Sequence, residues 1–354
     1  MRRSALTRQT VTAFAAAAAF VVLAVLVAVL PVPYVTWSPG TARDVLATGG
    51  AGTQPIIAIS DVTTYPTEGR LDMTVVSTTA ADSRLSLPQA LVAYFRPDHD
   101  ALPREAVYPA GRSAEDVEDA DAEMMVSAQD DAVVAALRAS QRPVEQLPAI
   151  ASVTVGSPAQ GHLRPGDLVV SVDGTATPTP ALVQAAVRQA QAGRQLTFVV
   201  LRDKVRVSVP LMPAPQTSGT GVQVGITLGT GYAYTPRISY DLGQKIGGPS
   251  AGLVFALAIY DKLTPGALFA GQHVAGTGTI NPTGVVGGIG GIQEKIAGAQ
   301  AAGATTFLVP APNCGDLAGV RTTMRLVRVA TLNDAIRSVR SLDSPAAADA
   351  LPTC

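Results

Sequence analysis

A serine and a lysine, Ser250 and Lys295, lie in two glycine-rich segments that each lead into an apolar run of helical periodicity. Ser250 follows Gly-Gly-Pro and opens the run Ser250–Leu263, which is apolar on nearly every side and predicts a buried helix. Its hydroxyl would lie near a helix N-terminus, where unpaired N–H groups and the helix dipole favour negative charge. The oxyanion of acyl transfer needs this environment, so Ser250 is a candidate nucleophile. The alternative is that Ser250 only caps the helix.

The segment 248–252, Gly-Pro-Ser-Ala-Gly, also fits G-x-S-x-G, the pattern of the nucleophile elbow in serine hydrolases. That interpretation needs a buried strand before the serine and a histidine far after it. Residues 240–247 make a poor buried strand, and the histidine that follows Ser250 is His273, only 23 residues further on. The sequence therefore argues against a Ser-His-Asp hydrolase.

Lys295 is the candidate base, because a lysine that is neutral at working pH can accept the proton of a serine hydroxyl. Burial in an apolar site makes a lysine neutral. A helix is predicted over 291–303, between a glycine-rich start and a glycine stop. Ile292, Ile296 and Ala299 recur at i, i+4 and i+7 and mark its buried face, and Lys295 can lie beside them. Taken alone, the position is also typical of an exposed lysine on an amphipathic helix.

Together the two motifs resemble the proteolytic domain of Lon-type peptidases. The resemblance rests on Pro-Ser-Ala-Gly before a buried helix, on Val-Gly-Gly-Ile-Gly-Gly-Ile-Gln-Glu-Lys ending 45 residues after the serine, and on the helix end and strand of 302–310. It covers residues 220–340 and implies that Ser250 is the nucleophile and Lys295 the general base. It also implies an oxyanion site in the backbone around the serine, with the residues Gly248, Pro249, Ala251 and Gly252.

The sequence departs from that family at two positions. The family often has an acidic residue three before the serine, where this chain has Gly247. A threonine often precedes the glycine of the strand between the motifs, where this chain has Ala275 before Gly276. Thr277 and Thr279 lie close by in sequence and are expected to substitute. The departures concern the tuning of the site and leave the Ser-Lys dyad in place.

Residues 11–30 form an uncharged apolar run of twenty residues, enough to span a hydrocarbon core about 30 Å thick. Arg2, Arg3 and Arg8 precede this run. The positive-inside rule then places residues 1–10 in the cytoplasm and the rest of the chain outside it. A cleaved signal peptide is the alternative, but it would have a shorter apolar core and a small-x-small cleavage site. We expect a retained single-pass anchor in the cell membrane.

Residues 127–213 contain Ser-Pro-Ala-Gln-Gly-His-Leu-Arg-Pro-Gly-Asp at 157–167 and Asp-Gly at 173–174, with strand-like runs around them. Asp167 is expected to cap the Pro-Gly turn, and Asp-Gly to reverse a strand pair. The pattern resembles PDZ domains, which capture extended peptides by adding a strand to a sheet edge. Residues 214–221, rich in Pro, Gly, Ser and Thr, predict a linker.

The predicted fold class is α+β, with a transmembrane helix, a β-rich PDZ-like domain and a Lon-type α/β proteolytic domain over 222–340. Segment 34–126 has strand-like runs but no clear assignment, and its acidic stretch 115–123 is expected to be a solvated helix face. Residues 341–354 are expected to be a flexible tail. Outside the cytoplasm a disulfide between Cys314 and Cys354 and two free thiols both remain open.

The net charge of −1 and the lack of a basic, aromatic-rich run argue against nucleic-acid binding. No G-x-x-x-x-G-K-[ST] loop occurs, so we expect no ATPase, no cofactor and no metal. The chain resembles membrane-anchored, PDZ-containing Lon-like proteases of the Gram-positive and actinobacterial type. That resemblance implies an ATP-independent serine endopeptidase that cleaves unfolded or extended polypeptides, a PDZ domain that recruits or gates them, and a ring-shaped homo-oligomer such as a hexamer. The alternative is a catalytically silent adaptor that keeps the Lon-like fold.

Overall fold

The computed structural model describes residues 7–47, 55–191, 193–216, 221–242 and 246–354. Arg2, Arg3 and residues 217–220 of the expected linker lie outside the described residues. The chain forms two compact units. The first comprises Met1–Ala58, Thr64–Ala139 and Ser239–Cys354, and the second comprises Ile59–Thr63 and Ser140–Ile238.

The described helices are α1 (Arg8–Val29), α2 (Leu87–Phe95), α3 (Arg104–Val107), α4 (Ala114–Ala139), α5 (Pro180–Gln189), α6 (Gly252–Leu263), α7 (Ile292–Ala301), α8 (Leu332–Ser341) and α9 (Pro345–Asp349), with a 3-10 helix at Ala311–Leu317. The described strands are β1 (Pro31–Val32), β2 (Tyr34–Asp44), β3 (Ile57–Ser60), β4 (Arg70–Thr78), β5 (Leu85–Ser86), β6 (Asp100–Pro103), β7 (Glu145–Val153), β8 (Leu168–Val172), β9 (Thr175–Ala176), β10 (Leu196–Arg202), β11 (Val205–Leu211), β12 (Ala214–Pro215), β13 (Val222–Gln223), β14 (Ile226–Ala233), β15 (Arg237–Tyr240), β16 (His273–Gly276), β17 (Thr279–Ile280), β18 (Val286–Gly287), β19 (Thr306–Pro310) and β20 (Arg325–Val329). This mixture of helices and strands confirms the predicted α+β class.

The first unit is built on a sheet with the strand order β20-β19-β16-β4-β2-β6. β4, β16, β19 and β20 are parallel, whereas β2 is antiparallel to β4 and β6 is antiparallel to β2. Half of this sheet, β2, β4 and β6, comes from segment 34–126, for which the sequence predicts no clear assignment. The reason is that the pairing is long-range, since Leu71 of β4 lies opposite Val274 of β16. The sequence pattern around one strand does not indicate which distant strand will pair with it.

The sheet of the first unit lies between α6 on one face and α7 on the other. Ala275 of β16 packs in the cluster formed with α7, whereas a Cβ on the next residue, Gly276, would lie 3.6 Å from Cγ2 of Val254 in α6. Successive residues of a strand point to opposite faces, which explains this alternation. The buried helices predicted from periodicity are confirmed, because α6 exposes little besides Lys262 and α7 buries the apolar face that includes Ile296.

The second unit is an antiparallel sheet with the order β11-β10-β8-β7-β14, and β9 pairs with β8. The sequence placed the strand near 222–228 in the proteolytic domain, but β14 pairs along the whole of β7, from Ile226 opposite Val153 to Ala233 opposite Glu145. The physical reason is that the apolar side chains of this strand pack on the core of the second unit. The chain therefore returns to the first unit at Ser239, within β15.

The two turns predicted in the second unit have the expected chemistry. The Asp167 carboxylate accepts a hydrogen bond from the Arg164 N–H at 2.9 Å and two from the Arg202 guanidinium at 2.8 and 2.7 Å. This pairing compensates the burial of an aspartate that is 1% exposed. Asp173 and Gly174 have φ values of 48° and 76°, as a type I′ reversal requires.

Helix α1 spans 22 residues, and none of them is buried. The mean hydropathy of its most apolar window is 2.7, so by length and composition the helix is able to cross a membrane. It begins at Arg8, within the predicted cytoplasmic residues 1–10, because Thr7 caps its N-terminus. It ends just before the Pro-Val-Pro sequence of residues 31–33.

The C-terminal residues are packed on the first unit, so the expectation of a flexible tail was wrong. Ala348 in α9 is 6% exposed. The Arg328 N–H donates to the Pro352 carbonyl at 2.8 Å, and the Arg325 guanidinium donates to Asp349 at 2.8 Å. The alanine- and proline-rich composition of this segment suggested mobility. The segment is held instead by hydrogen bonds from residues of β20, which its own composition does not predict. Cys314 and Cys354 are joined by a disulfide with an S–S distance of 2.07 Å.

We expect Cys354→Ser to lower the free energy of unfolding of the first unit by about 2 to 4 kcal/mol, because the cross-link closes a loop of 40 residues. Trp37 is the single tryptophan of the chain and lies in β2, so its fluorescence during urea unfolding of the full chain in detergent reports this unit. Reduced wild type should unfold at the same urea concentration as the variant. A variant as stable as the oxidised wild type would contradict the prediction.

Candidate active site

Ser250 lies in the turn that leads into α6 and is half-buried. The helix begins two residues later than predicted, because Ala251 occupies the N-cap position. The Ser250 carbonyl accepts a hydrogen bond from the Gly278 N–H at 2.8 Å and from the Thr277 hydroxyl at 3.0 Å. These two bonds fix the backbone of the serine to the segment that follows β16.

Glycine is favoured at two positions of this turn. A Cβ on Gly252 would lie 3.0 Å from Cγ2 of Ile280 and 3.1 Å from its nitrogen, so β17 would have to shift by a few tenths of an ångström to admit a side chain. Gly248 has a φ of +82°, a left-handed conformation that favours glycine. The turn that carries the serine is therefore held close to β17.

Lys295 lies in the first turns of α7 and is 3% exposed. Burial lowers the pKa of its ammonium group to about 8, while the neighbouring Glu294 carboxylate acts in the opposite direction. Of the two environments that the sequence left open for this lysine, the structure has the buried one. A buried lysine with a lowered pKa is suited to proton abstraction near neutral pH.

Thr277 joins the lysine to the serine turn. Its side chain is fully buried, its hydroxyl accepts a hydrogen bond from Lys295 Nζ at 3.2 Å, and it donates to the Ser250 carbonyl at 3.0 Å. Of the two threonines expected to substitute for the one missing at Ala275, Thr277 and Thr279, it is Thr277 that makes these contacts. Alternation along the chain places residues 275, 277 and 279 on one side, so the sequence pattern by itself does not choose between the two threonines.

His273 forms a separate hydrogen-bonded pair at the other end of β16. Its Nε2 lies 2.8 Å from Asp72 Oδ2, and Asp72 also accepts a bond from Arg70 Nε at 2.8 Å. Four residues of extended chain separate His273 from Thr277, a distance of about 13 Å. The pair is therefore remote from the serine turn along the strand, which agrees with the argument against a Ser-His-Asp hydrolase. Among the described residues, no group of His, Cys, Asp and Glu side chains is arranged to hold a metal ion.

Comparison with known families matches two parts of the chain. Residues 244–340 match the Lon protease (S16) C-terminal proteolytic domain. Residues 127–211 match the PDZ domain. The chain contains a Lon-type proteolytic domain and a PDZ domain. The Lon-type match includes both the serine turn and α7, so the geometry described above lies in a domain related to proteases.

Relatives and solved structures are similar over limited parts. The chain is 46% identical over 70 residues to the Lon protease of Roseiflexus castenholzii, which covers 20% of this chain and 8% of that protein. It is 38% identical over 96 residues to the Lon protease of Paraburkholderia phytofirmans, covering 26% and 12%. The PDZ domain of an SdrC-like protein from Listeria monocytogenes is 20% identical, with 23% of this chain and 85% of that chain covered and a TM-score of 0.22. The chain thus matches only about a tenth of the length of these Lon proteases.

The glycine at 247, where an acidic residue is common, has a steric explanation in the Lon-type domain. A Cβ on Gly247 would lie 2.6 Å from the Cβ of Asp121 in α4. The Gly248 N–H donates to the Asp121 carbonyl at 2.9 Å, and burial raises the pKa of the Asp121 carboxyl. The acidic stretch 115–123, predicted as a solvated helix face, therefore also contacts the serine turn. The sequence carries no signal for this contact because it joins residues far apart in the chain.

We expect Thr277→Val to lower the turnover number about ten- to hundredfold with little change in KM, because valine leaves Lys295 Nζ and the Ser250 carbonyl without their shared partner. Peptide hydrolysis by the full chain measures this, and Thr277→Ser should restore most of the rate. Thr279→Val is the matched control, since Thr279 makes neither of these bonds. Equal losses in the two valine variants would show a general packing effect.

The lowered pKa of Lys295 predicts a pH dependence. The base acts when neutral, so the rate of serine modification should rise with pH around the pKa of about 8. About a tenth of the groups are neutral one pH unit below the pKa and about nine tenths one unit above it. Labelling of the full chain by a fluorophosphonate between pH 6 and pH 10 measures this. A midpoint near that of a free histidine would contradict Lys295 as the base.

Proposed function

We propose that this protein is a membrane-anchored, ATP-independent serine endopeptidase in which Ser250 and Lys295 form the catalytic dyad. The observation that carries the proposal is the buried chain of contacts from Lys295 through Thr277 to Ser250. A surface lysine would stay charged, whereas burial shifts Lys295 toward the neutral form that a base needs. The relation to Lon proteases supports the same reaction class.

In the proposed reaction, neutral Lys295 takes the proton of the Ser250 hydroxyl, and the serine oxygen attacks the carbonyl carbon of the scissile peptide. The Lys295 ammonium that forms stays in place because it donates a hydrogen bond to the Thr277 hydroxyl. Collapse of the tetrahedral intermediate releases the amine product, which takes up a proton from the lysine. Water then hydrolyses the acyl-enzyme by the same route and restores Ser250.

The oxyanion would be held by the amides of Ser250 and Ala251. Other members of the predicted oxyanion site are already used, because the Gly248 N–H donates to Asp121 and the Gly252 N–H donates to the Pro249 carbonyl at 3.3 Å. Pro249 itself has no N–H. The remaining amides lie at the N-terminal end of α6, where the helix dipole favours the developing negative charge.

Three further features support the location and the substrate class. α1 is long and apolar enough to cross a bilayer, and arginine precedes it in sequence. The disulfide of the first unit fits an oxidising compartment outside the cytoplasm. The PDZ domain belongs to a class of modules that bind extended peptides, so it would recruit or gate unfolded polypeptide. A homo-oligomeric ring, such as a hexamer, is part of this proposal through the resemblance to Lon-like proteases.

The decisive experiment compares cleavage of labelled casein without nucleotide by the full chain in detergent. Ser250→Ala and Lys295→Met should each lose at least about a thousandfold in rate, since both groups act in one step. Ser341→Ala and Lys262→Met are matched controls in the same unit and should cleave like wild type. Cleavage by Ser250→Ala at the wild-type rate would overturn the dyad.

The same experiment addresses the silent-adaptor alternative. An adaptor would cleave nothing, and its Ser250 would not react with a fluorophosphonate, while peptide binding by the second unit would persist. Labelling that is lost in both Ser250→Ala and Lys295→Met would instead identify an enzyme, even where casein is a poor substrate.

A further inference from the structure

Helix α2 exposes an apolar surface that the proteolytic site does not use. Five of its nine residues are large, apolar and exposed, and they are Leu87, Leu91, Val92, Tyr94 and Phe95. The last two are 70% and 78% exposed and contact each other edge to face. Outside α1, exposed apolar residues elsewhere in the described chain are scattered. A concentrated apolar surface indicates a binding partner.

The opposite face of α2 is held by the first unit, so the exposed face is not a fraying end. Ala90 and Ala93 are buried against the unit. The helix start is fixed by a capping box, in which the Gln89 side chain accepts from the Ser86 N–H at 2.9 Å. α2 is therefore a fixed helix with one covered face and one open apolar face.

The start of α2 is fixed beside the end of α1. The short strand β1 follows α1 directly, and it pairs with β5, which leads directly into α2. In this pairing Pro31 lies opposite Ser86, one residue before α2 begins. α1 and α2 also contact each other. If α1 crosses a bilayer, α2 must begin at the bilayer surface, because one residue separates α1 from β1 and none separates β5 from α2.

The charges around α2 fit a lipid surface. α2 itself carries no charged residue, and Arg84 and Arg96 lie on either side of it. Asp82 and Asp98 lie just outside the two arginines. Asp98 is 3.7 Å from Arg96, which leaves Arg84 as the arginine without an acidic partner among these described residues. Aromatic side chains such as Tyr94 prefer the headgroup region of a bilayer, and arginine can reach anionic headgroups from its edge. An amphipathic helix with this composition typically lies in the plane of the interface.

We propose that α2 lies in the outer interface of the lipid bilayer, with its exposed apolar face among the headgroups and upper acyl chains. The inference rests on the proposed membrane anchoring by α1 and adds a second attachment of the first unit to the same surface. A single spanning helix lets a domain swing about its linker, whereas two adjacent attachments fix the orientation of the unit.

This attachment keeps the candidate active site near the membrane. Trp37 follows Leu30 by seven residues along β1 and the start of β2, at most about 25 Å of extended chain. The Trp37 ring lies against Gly290 and Gly291, and Gly291 is the N-cap of α7. Lys295 lies four residues after Gly291, about 6 Å further along the helix axis. The site would therefore meet polypeptides close to the bilayer surface, such as the membrane-proximal segments of anchored proteins.

The test uses the full chain in vesicles of phosphatidylcholine and phosphatidylglycerol, with single cysteines labelled by an environment-sensitive dye. The two native cysteines are paired, so they do not compete for the label. Phe95→Cys and Leu91→Cys report the exposed face of α2. Arg337→Cys is the control, because α8 packs at β20, the edge of the sheet opposite β6. Val21→Cys reports whether α1 is in the bilayer.

If the inference holds, brominated lipid quenches the labels at 91 and 95 at least about threefold more strongly than the label at 337, and aqueous iodide shows the reverse order. Labels at 91 and 95 that behave like the label at 337, while the label at 21 is quenched by lipid, would overturn the inference and leave the anchor intact. A label at 21 that iodide quenches freely would show that the anchoring itself fails.

The alternative is that a second copy of the chain binds the exposed apolar face of α2. It would shield residues 91 and 95 from iodide without quenching by brominated lipid, and the shielding would fall as the protein is diluted in lipid. That result would also overturn the membrane interface.

Discussion

The arrangement of the proteolytic unit depends on one buried hydrogen-bonded chain, from the Lys295 ammonium through the Thr277 hydroxyl to the Ser250 carbonyl. Burying a lysine is unfavourable unless its donors are satisfied or the group becomes neutral. Thr277 supplies a partner, and the lowered pKa supplies the neutral form. α7, the segment after β16 and the turn before α6 must therefore keep their relative positions, since a shift of any one of them leaves a polar group in the interior without a partner.

The sheet of the first unit meets that requirement by combining distant parts of the chain. β16 lies between β19, which follows α7 in the chain, and β4, which precedes the whole second unit in sequence. α4 begins in the same early segment and continues to Ala139, past the predicted start of the PDZ-like domain at 127. It packs on α6 and bonds to the serine turn at Gly248. A chain reduced to the Lon-type match would lack β2, β4 and β6, which are half of the sheet, and it would lack α4, which contacts the serine turn. The early segment is thus part of the proteolytic fold.

Two attachments limit the freedom of the first unit at its ends. The disulfide and the hydrogen bonds to β20 hold the C-terminal residues to the sheet. At the other end, β1 and β5 hold α1 next to α2. Both attachments join residues that are far apart in the sequence. One joins the alanine-rich C-terminal residues to β20, and the other joins the apolar α1 to α2. Such contacts compensate the entropy that an alanine-rich terminus loses when it becomes ordered.

The sequence by itself determined the elements whose cause is local. Helical periodicity gave α6 and α7, the uncharged run gave α1, and Asp-Gly gave the reversal at 173–174, because each of these depends on neighbouring residues. The glycine-rich settings of Ser250 and Lys295 made these two residues candidates for a catalytic dyad. Tertiary structure alone decided that Lys295 is buried, that Thr277 joins it to Ser250, that Gly247 makes room for Asp121, and that β14 belongs to the second unit. These outcomes depend on which distant segments pair and pack, and the periodicity of a single segment carries no information about its partner.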